Sequence, residues 1–200
     1  DVYDVYKSGT DFNNLFYWST NVIEVLGANT TGITNMSAMF NHCTSLTSVA
    51  LFDTSSVTDM KSMFQGCSSL TSVPLFDTSN IPSMMYMFSD CSSLKTVPLF
   101  DTSSVTNMQN MFYRCKTLTS VPLFDTSSVT SMTDMFNGCS SLTSVPLFNT
   151  SNVTSMFRTF YGCINVETGA LALYQQASTQ TNPPYTYSMA FRNCGSNTTT

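Results

Sequence analysis

The sequence is poor in charge. Only 10% of its 200 residues are charged, whereas an average soluble domain carries about 25%. The seven Lys and Arg residues form no block, and the formal net charge is −5. This argues against a nucleic-acid partner, because such a partner attracts clustered positive charge. The abundant Ser, Thr and Asn residues must therefore keep the surface wetted.

Long apolar runs and histidine are also scarce. No apolar run approaches the roughly 18 residues of a membrane span, so we expect no membrane insertion by this segment. No signal peptide is visible and the chain begins at Asp1, which we interpret as a mature fragment or a domain cut from a longer chain. We expect it to be a monomeric module of that chain. His42 is the only histidine, and no Gly-rich phosphate loop is present. We therefore predict no enzyme and no cofactor.

What the sequence has instead is an internal repeat of 24 residues, and such a period decides the architecture. Its plainest row is Cys43, Cys67, Cys91, Cys115, Cys139 and Cys163. A Phe precedes each Cys by three residues, a Met precedes it by seven, and in most units a Leu follows it by three. The shared unit reads approximately VTxMxxMFxxCSSLTSVPLFDTSS. One unit cannot bury its own apolar row, but stacked units can.

Within a unit the apolar spacing changes. The apolar residues of 57–67 are three or four apart, as on one face of a short helix. Leu70, Val73 and Leu75 then resemble the strand of a leucine-rich repeat, and Pro74 keeps that strand short because it cannot donate to a ladder. The sequence thus predicts an α/β repeat solenoid, a leucine-rich-repeat-like coil. It has a short parallel β-sheet on one side and short helical turns on the other.

The ends of the repeat are atypical, as capping units are. Residues 8–31 fit a degenerate N-terminal coil, in which Phe16 takes the Phe place and Ser19 the Cys place. Regular repeats follow over 32–163. Phe191 and Cys194 repeat the Phe-x-x-Cys pair after seven inserted residues, and 170–177 is a short helix candidate. We predict one solenoid domain over 1–200, with 164–200 as a C-terminal cap of short helix, last partial repeat and tail.

The unit Met-x-x-Met-Phe-x-x-Cys-Ser-Ser-Leu-Thr-Ser, followed by Phe-Asp-Thr-Ser-x-Val-Thr, resembles the BspA-like leucine-rich repeats of bacterial surface proteins. It is closest to the branch first noticed in mycoplasma lipoproteins, over residues 12–163 and 191–194. The resemblance implies a right-handed parallel solenoid and an extracellular place on a bacterial cell surface or a phage virion. It also implies adhesion to a host or bacterial surface protein or glycan. The family has no catalytic residues to carry over.

The cysteine row admits more than one chemistry. Stacked cysteines about 5 Å apart lie within disulfide range. Each Cys, however, shares its face with a Phe and a Met, and a free Cys behaves as a small buried hydrophobe. A structural zinc site usually brings Cys-x-x-Cys pairs, and the sequence has none. We predict buried, unpaired thiols and no metal.

Three further rows have a ligand interpretation beside a simpler one. The Asp row could hold calcium, but Asn29 and Asn149 stand at its ends, and the Thr-Ser after each Asp is typical of an Asx turn. The Met row could bind copper(I), but its spacing is that of a core. The Thr rows could present a glycan-binding or ice-binding face, but polar strand positions of any solenoid meet water. The Asp row is Asp53, Asp77, Asp101 and Asp125.

Two outward rows differ most between units, although the repeat does not need their side chains for folding. One row is Ala38, Ser62, Tyr86, Asn110, Asp134 and Arg158, and the other is Asn41, Gln65, Ser89, Tyr113, Asn137 and Tyr161. Tyr and Arg most often anchor interfaces. We predict a recognition surface on the helical side, with neutral variation of a solvated surface as the alternative. Its binding residues are Tyr86, Tyr113, Arg114, Lys116, Arg158 and Tyr161.

The predicted function is a non-enzymatic, surface-displayed recognition or adhesion module. The alternative is a passive spacer or stalk in a larger surface or phage-fibre protein. A binding module should carry an aromatic or basic patch on one face, whereas a spacer should be polar all round.

Overall fold

A column of aromatic rings shows that the 24-residue units stack on one another. The structure, a computed structural model, describes residues 2–5, 9–181, 183–184 and 187–195. The six Phe residues from Phe40 to Phe160 lie with ring centroids 5.2–5.6 Å apart and planes within 11° of parallel. Phe16 and Phe191 extend the column at its two ends. Both end residues therefore take the Phe place that the repeat predicts for them.

The core is formed by the rows that the repeat keeps constant. The Met, Phe and Cys of each regular unit, and the Leu of each unit that has one, are fully buried, so the Met row is core as predicted. A second Phe row, with Phe76 as its example, packs 6.0–6.2 Å from the first. Leu70 and Val73 are buried as expected, but the prediction for Leu75 is wrong. Phe76 fills the core and leaves Leu75 57% exposed, because neighbouring residues of an extended segment face opposite sides.

Among the described residues, strands of the parallel sheet occur only in the first units. Strands β1 (Val2–Val5), β2 (Glu24–Ala28) and β3 (Ser48–Val49) form it in that order, and sequence analysis did not predict β1. The Ala50 amide extends the pairing of β3 by donating to the Val25 carbonyl at 2.8 Å. Pro74 takes the place of Ala50 in the next unit and has no N–H to donate. The four units that carry this Pro contain no strand within the described residues, so the strand predicted at Leu70, Val73 and Leu75 is wrong.

The opposite side is built of turns. The short helical turns predicted there are wrong, because the described part of 32–163 contains no helix. Consecutive four-residue turns close instead, as where the Cys43 amide donates to the Phe40 carbonyl at 3.0 Å and the Asn41 amide to the Ala38 carbonyl at 3.1 Å. The amide of Phe40 itself points to the next unit and donates to the Met63 carbonyl at 2.9 Å. This ladder between units replaces the internal hydrogen bonds of a helix.

Two residues of every regular unit take the left-handed backbone conformation, which an α-helix does not contain. One row, at φ 52–59°, is Ala38, Ser62, Tyr86, Asn110, Asp134 and Arg158. The other, at φ 55–77°, is His42, Gly66, Asp90, Arg114, Gly138 and Gly162. The chain therefore repeats its apolar residues every three or four positions, as a helix does, while following a different path.

Two helices lie at the C-terminal end, α1 (Ala170–Ser178) and α2 (Tyr187–Ala190). The short helix expected over 170–177 is confirmed. Leu173 of α1 is fully buried, and the Tyr174 ring packs edge-on against Phe191 at 5.9 Å. The helix thus covers the last ring of the column. The predicted tail begins at Gly195, whose amide donates to the Cys163 carbonyl at 3.1 Å, and its remaining residues, 196–200, lie outside the described residues. The division into domains stays a prediction.

Candidate recognition surfaces

The thiols of the cysteine row lie in the core of the stack. Each of the six thiols from Cys43 to Cys163 is buried and unpaired, as predicted. Each donates a hydrogen bond to the carbonyl of a Phe 27 residues earlier, for example Cys67 to Phe40 at 3.0 Å. Burial raises the pKa of Cys43 to about 11 and that of Cys115 well above its ordinary value. Such thiols are poor nucleophiles, since the thiolate is the reactive form.

Metal ligation finds no support in the arrangement of side chains. No group of three His, Cys, Asp or Glu residues that could hold a metal ion is found within the described residues. No helix of the described chain has the length and apolar character needed to cross a membrane.

The Asp row caps turns. The Asp101 Oδ1 accepts hydrogen bonds from the Ser103 amide at 3.0 Å and its hydroxyl at 2.7 Å, as Asp53 and Asp77 do from their own Ser residues. The Ser hydroxyl bond is the largest cause that lowers the pKa of these carboxyls. The turn-cap interpretation is therefore confirmed. The Asp side chains point into solvent, so they form a line of negative charge.

Tyr113, Arg114 and Lys116 form a local patch on the turn side. The Arg114 guanidinium lies 4.9 Å from the centroid of the Tyr113 ring, within cation–π range. Arg114 and Lys116 are exposed, while Tyr113 is partly buried. The Arg114 side chain also lies against the next unit, since a Cβ on Gly138 would come within 3.3 Å of its Cγ. We call these three residues the turn-face patch.

The other predicted binding residues are placed separately. The Arg158 guanidinium lies over the Phe157 ring at 4.5 Å, so this cation pairs with its own neighbour. Tyr161 occupies the row of Tyr113 two units further on and is partly buried. Tyr86 is also partly buried and lies in the row of Arg158. The structure thus pairs Tyr113 with Arg114, whereas Tyr86 lies one unit before this pair and Arg158 and Tyr161 lie two units beyond it.

The expectation that the repeat does not need these positions is corrected by the backbone. Tyr86, Arg114 and Arg158 have φ of 59°, 55° and 52°, in rows that are left-handed in every regular unit. A residue other than Gly is destabilised there by about 1–2 kcal/mol, and Asn and Asp by less. The many Asn, Asp and Gly residues of these rows are therefore the conformationally easy choice. Arg and Tyr need a compensating contact.

Sequence analysis missed a row of exposed leucines. Its members are Leu51, Leu75, Leu99, Leu123 and Leu147, 54–67% exposed, and we call them the leucine row. Each precedes a buried Phe, and only one of two adjacent extended residues can face the core. The Leu-Phe pair was the available signal. A depression of about 330 Å³ on this side is lined by Leu75, Phe76, Asp77, Thr78, Leu99 and Asp101.

A further exposed aromatic group lies in the first unit. Trp18 is 55% exposed and stacks on His42 with ring centroids 4.2 Å apart. Tyr17 is 50% exposed and meets the Trp18 ring edge-on. Trp18, at φ 59°, occupies the row that holds Arg114 in a later unit. This row therefore carries large side chains at two places along the stack.

Stacked 24-residue units with buried Leu and Phe rows define a protein of the leucine-rich-repeat class. A solved structure has the same fold, that of a leucine-rich repeat protein from Eubacterium ventriosum ATCC 27560. The two are 23% identical with a TM-score of 0.52, which shows the fold alone. The similarity covers 78% of this chain and 43% of that protein, so the chain spans less than half of its relative.

The family model described as "Mycoplasma protein of unknown function, DUF285" matches residues 10–120 and 93–193. The chain therefore belongs to this family. The match confirms the resemblance to the mycoplasma branch of BspA-like leucine-rich repeats. No curated protein matches the chain.

Proposed function

We propose that the chain is a non-enzymatic recognition module. It is displayed on a bacterial cell surface or a phage virion and binds a protein or glycan through its turn face. Leucine-rich repeats are modules of protein interaction, and the family is associated with surfaces. We also propose that the units coil in a right-handed sense. The observation that carries the proposal is the turn-face patch, with Arg114 held between Tyr113 and Gly138.

The patch has the physical properties of an interface anchor. Packing on both sides restricts the Arg114 side chain before a partner arrives, which lowers the entropy lost on binding. Its guanidinium keeps donors free for a carboxylate or a glycan hydroxyl.

The passive spacer is the weaker alternative. A spacer needs a surface that is polar all round, and the exposed apolar leucine row departs from that pattern.

The test compares two variants on arrays of host proteins and glycans. Tyr113→Asn with Arg114→Gly installs the residues that the next unit has as Asn137 and Gly138, so the backbone stays compatible. We expect its affinity for the parent's ligands to fall at least about tenfold, as when one good interface anchor is removed. Thr119→Ala with Thr143→Ala on the opposite side should bind normally. The reverse result would place recognition on the strand side and refute this proposal.

A further inference from the structure

The leucine row is a regular series of exposed apolar side chains that the core does not use. Five successive units each expose a leucine by more than half. Single exposed leucines are ordinary, but a contiguous stripe of a few hundred Å² marks a contact surface. Leu75 and Leu99 line one shared depression, so the row is continuous between these two units.

The charge beside the row is one-sided. The Asp row lies two residues beyond each of the first four leucines, and both rows are exposed. Asp77 and Asp101 line the same depression as Leu75 and Leu99, so successive carboxylates bring their negative charges together along this edge. The other edge carries Ser and Thr, with Lys95 as its one charged residue among the regular units. A partner must therefore offer apolar contacts and positive charge along a single edge.

The spacing of the rows fits a helix. Core rings of successive units are 5.2–5.6 Å apart, and hydrogen-bonded parallel segments lie about 4.8 Å apart. An α-helix advances about 5.4 Å per turn, so a helix along the stack meets one leucine with each turn. A β-strand offers a same-face residue only every ~6.7 Å and falls out of step within two or three units.

We propose that the leucine row and the Asp row together bind one amphipathic α-helix of a partner protein, with an apolar residue in each turn and Lys or Arg along one edge. Five leucines span about four helical turns, or about 15–18 residues. A second copy of this chain fits poorly, because its net charge is −5 and α1 has no basic residue in its last turn. An anionic lipid surface is repelled by the Asp row. The surface is separate from the turn-face patch.

The probe is a fluorescein-labelled peptide of about 18 residues with one Leu per turn, Lys along one edge and Ala elsewhere. Fluorescence anisotropy with the whole chain measures its affinity. Two controls share its length: a scrambled peptide of the same composition, and a peptide with Glu in place of Lys. We expect the probe to bind at least about tenfold more tightly than either. Equal binding of the scrambled peptide would show mere charge attraction and overturn the proposal.

Chain variants test each row. Leu75→Ser, Leu99→Ser and Leu123→Ser together should weaken the probe by at least about tenfold, because three apolar contacts are lost. Unchanged affinity overturns the proposal. Leu99→Ser alone, expected to weaken binding a few fold, serves if the triple variant does not fold.

The Asp row has a control within the chain. Asn149 accepts the Ser151 amide at 3.0 Å as each Asp accepts its own Ser, so Asp77→Asn, Asp101→Asn and Asp125→Asn together keep the turns. This variant should weaken the probe several-fold and reduce its salt dependence. Tyr113→Asn with Arg114→Gly should bind the probe normally, which separates this proposal from the turn-face function. Analytical sedimentation tests a second copy as the occupant. If the parent chain is a dimer and the triple leucine variant is a monomer, the row binds a second copy and the proposal is overturned.

Discussion

Replacing one ring in the middle of the Phe column should remove a large part of the stability. Phe112 is fully buried and lies 5.6 Å from Phe88, 5.4 Å from Phe136 and 6.2 Å from Phe124. A buried aromatic side chain hides about 150–250 Å², which at ~25 cal/mol per Å² corresponds to roughly 4–6 kcal/mol. Ala keeps one carbon and the cavity relaxes in part, so we expect Phe112→Ala to lower the free energy of unfolding by about 4 kcal/mol.

The matched control is Phe157→Ala. Phe157 takes the outward row of Lys61 and Gln109, is partly exposed, and has Arg158 over its ring. Its loss should lower the free energy of unfolding by only about 1 kcal/mol. Urea unfolding followed by circular dichroism measures both. A repeat stack is held by contacts between neighbouring units, so Phe112→Ala should also broaden the transition. Equal losses in the two variants would refute the assignment of inner and outer faces.

Three further results are expected. The six buried thiols of the cysteine row should react with a thiol reagent at pH 8 only after denaturation, because burial raises their pKa; rapid reaction of native protein would contradict their burial. Asp101 has a folded pKa below its unfolded value of about 3.9, so its contribution to stability is fully present above that pH and is lost as pH falls through the folded pKa. Asp101→Asn should therefore make the melting temperature fall less steeply between about pH 5 and 2. Pro74→Ala restores a backbone N–H one unit beyond Ala50, and hydrogen exchange should show it protected by the Val49 carbonyl; an unprotected amide would mean that Pro does not end the sheet.

The stacking could be predicted because it depends on a count that recurs. Any residue type repeated every 24 positions in a stack must meet its equivalents, so rows of Phe, Met and Cys become columns whatever path joins them. This is why Phe16 and Phe191 were placed correctly despite their degenerate surroundings. The turn caps at the Asp row followed from local chemistry alone, since an Asp side chain bonds the amide two residues on.

The path between the rows could not be predicted from spacing. Four-residue turns, which advance the chain by three residues, and helical turns of 3.6 residues both return an apolar residue to the core every three or four positions, so 57–67 satisfies either. The difference lies in the sign of φ at two residues per unit. The occurrence of Gly66, Gly138 and Gly162 in one row was the available signal, but His42 and Arg114 in the same row hid it. The exposure of Leu75 was missed because a leucine-rich strand is expected to bury its leucines.

The left-handed rows bear on where function can reside in such a stack. At these positions Asn, Asp and Gly relieve the backbone, so neutral substitution should drift toward them. Arg114 and Tyr86 run against that tendency, and Arg114 is packed on Tyr113 and the next unit. The leucine row is unexpected for a different reason, since exposed apolar side chains in solvent gain no stability from lying in a row. A small residue such as Asn at either place would leave the core rows unchanged, and we propose a bound partner as the physical reason for both.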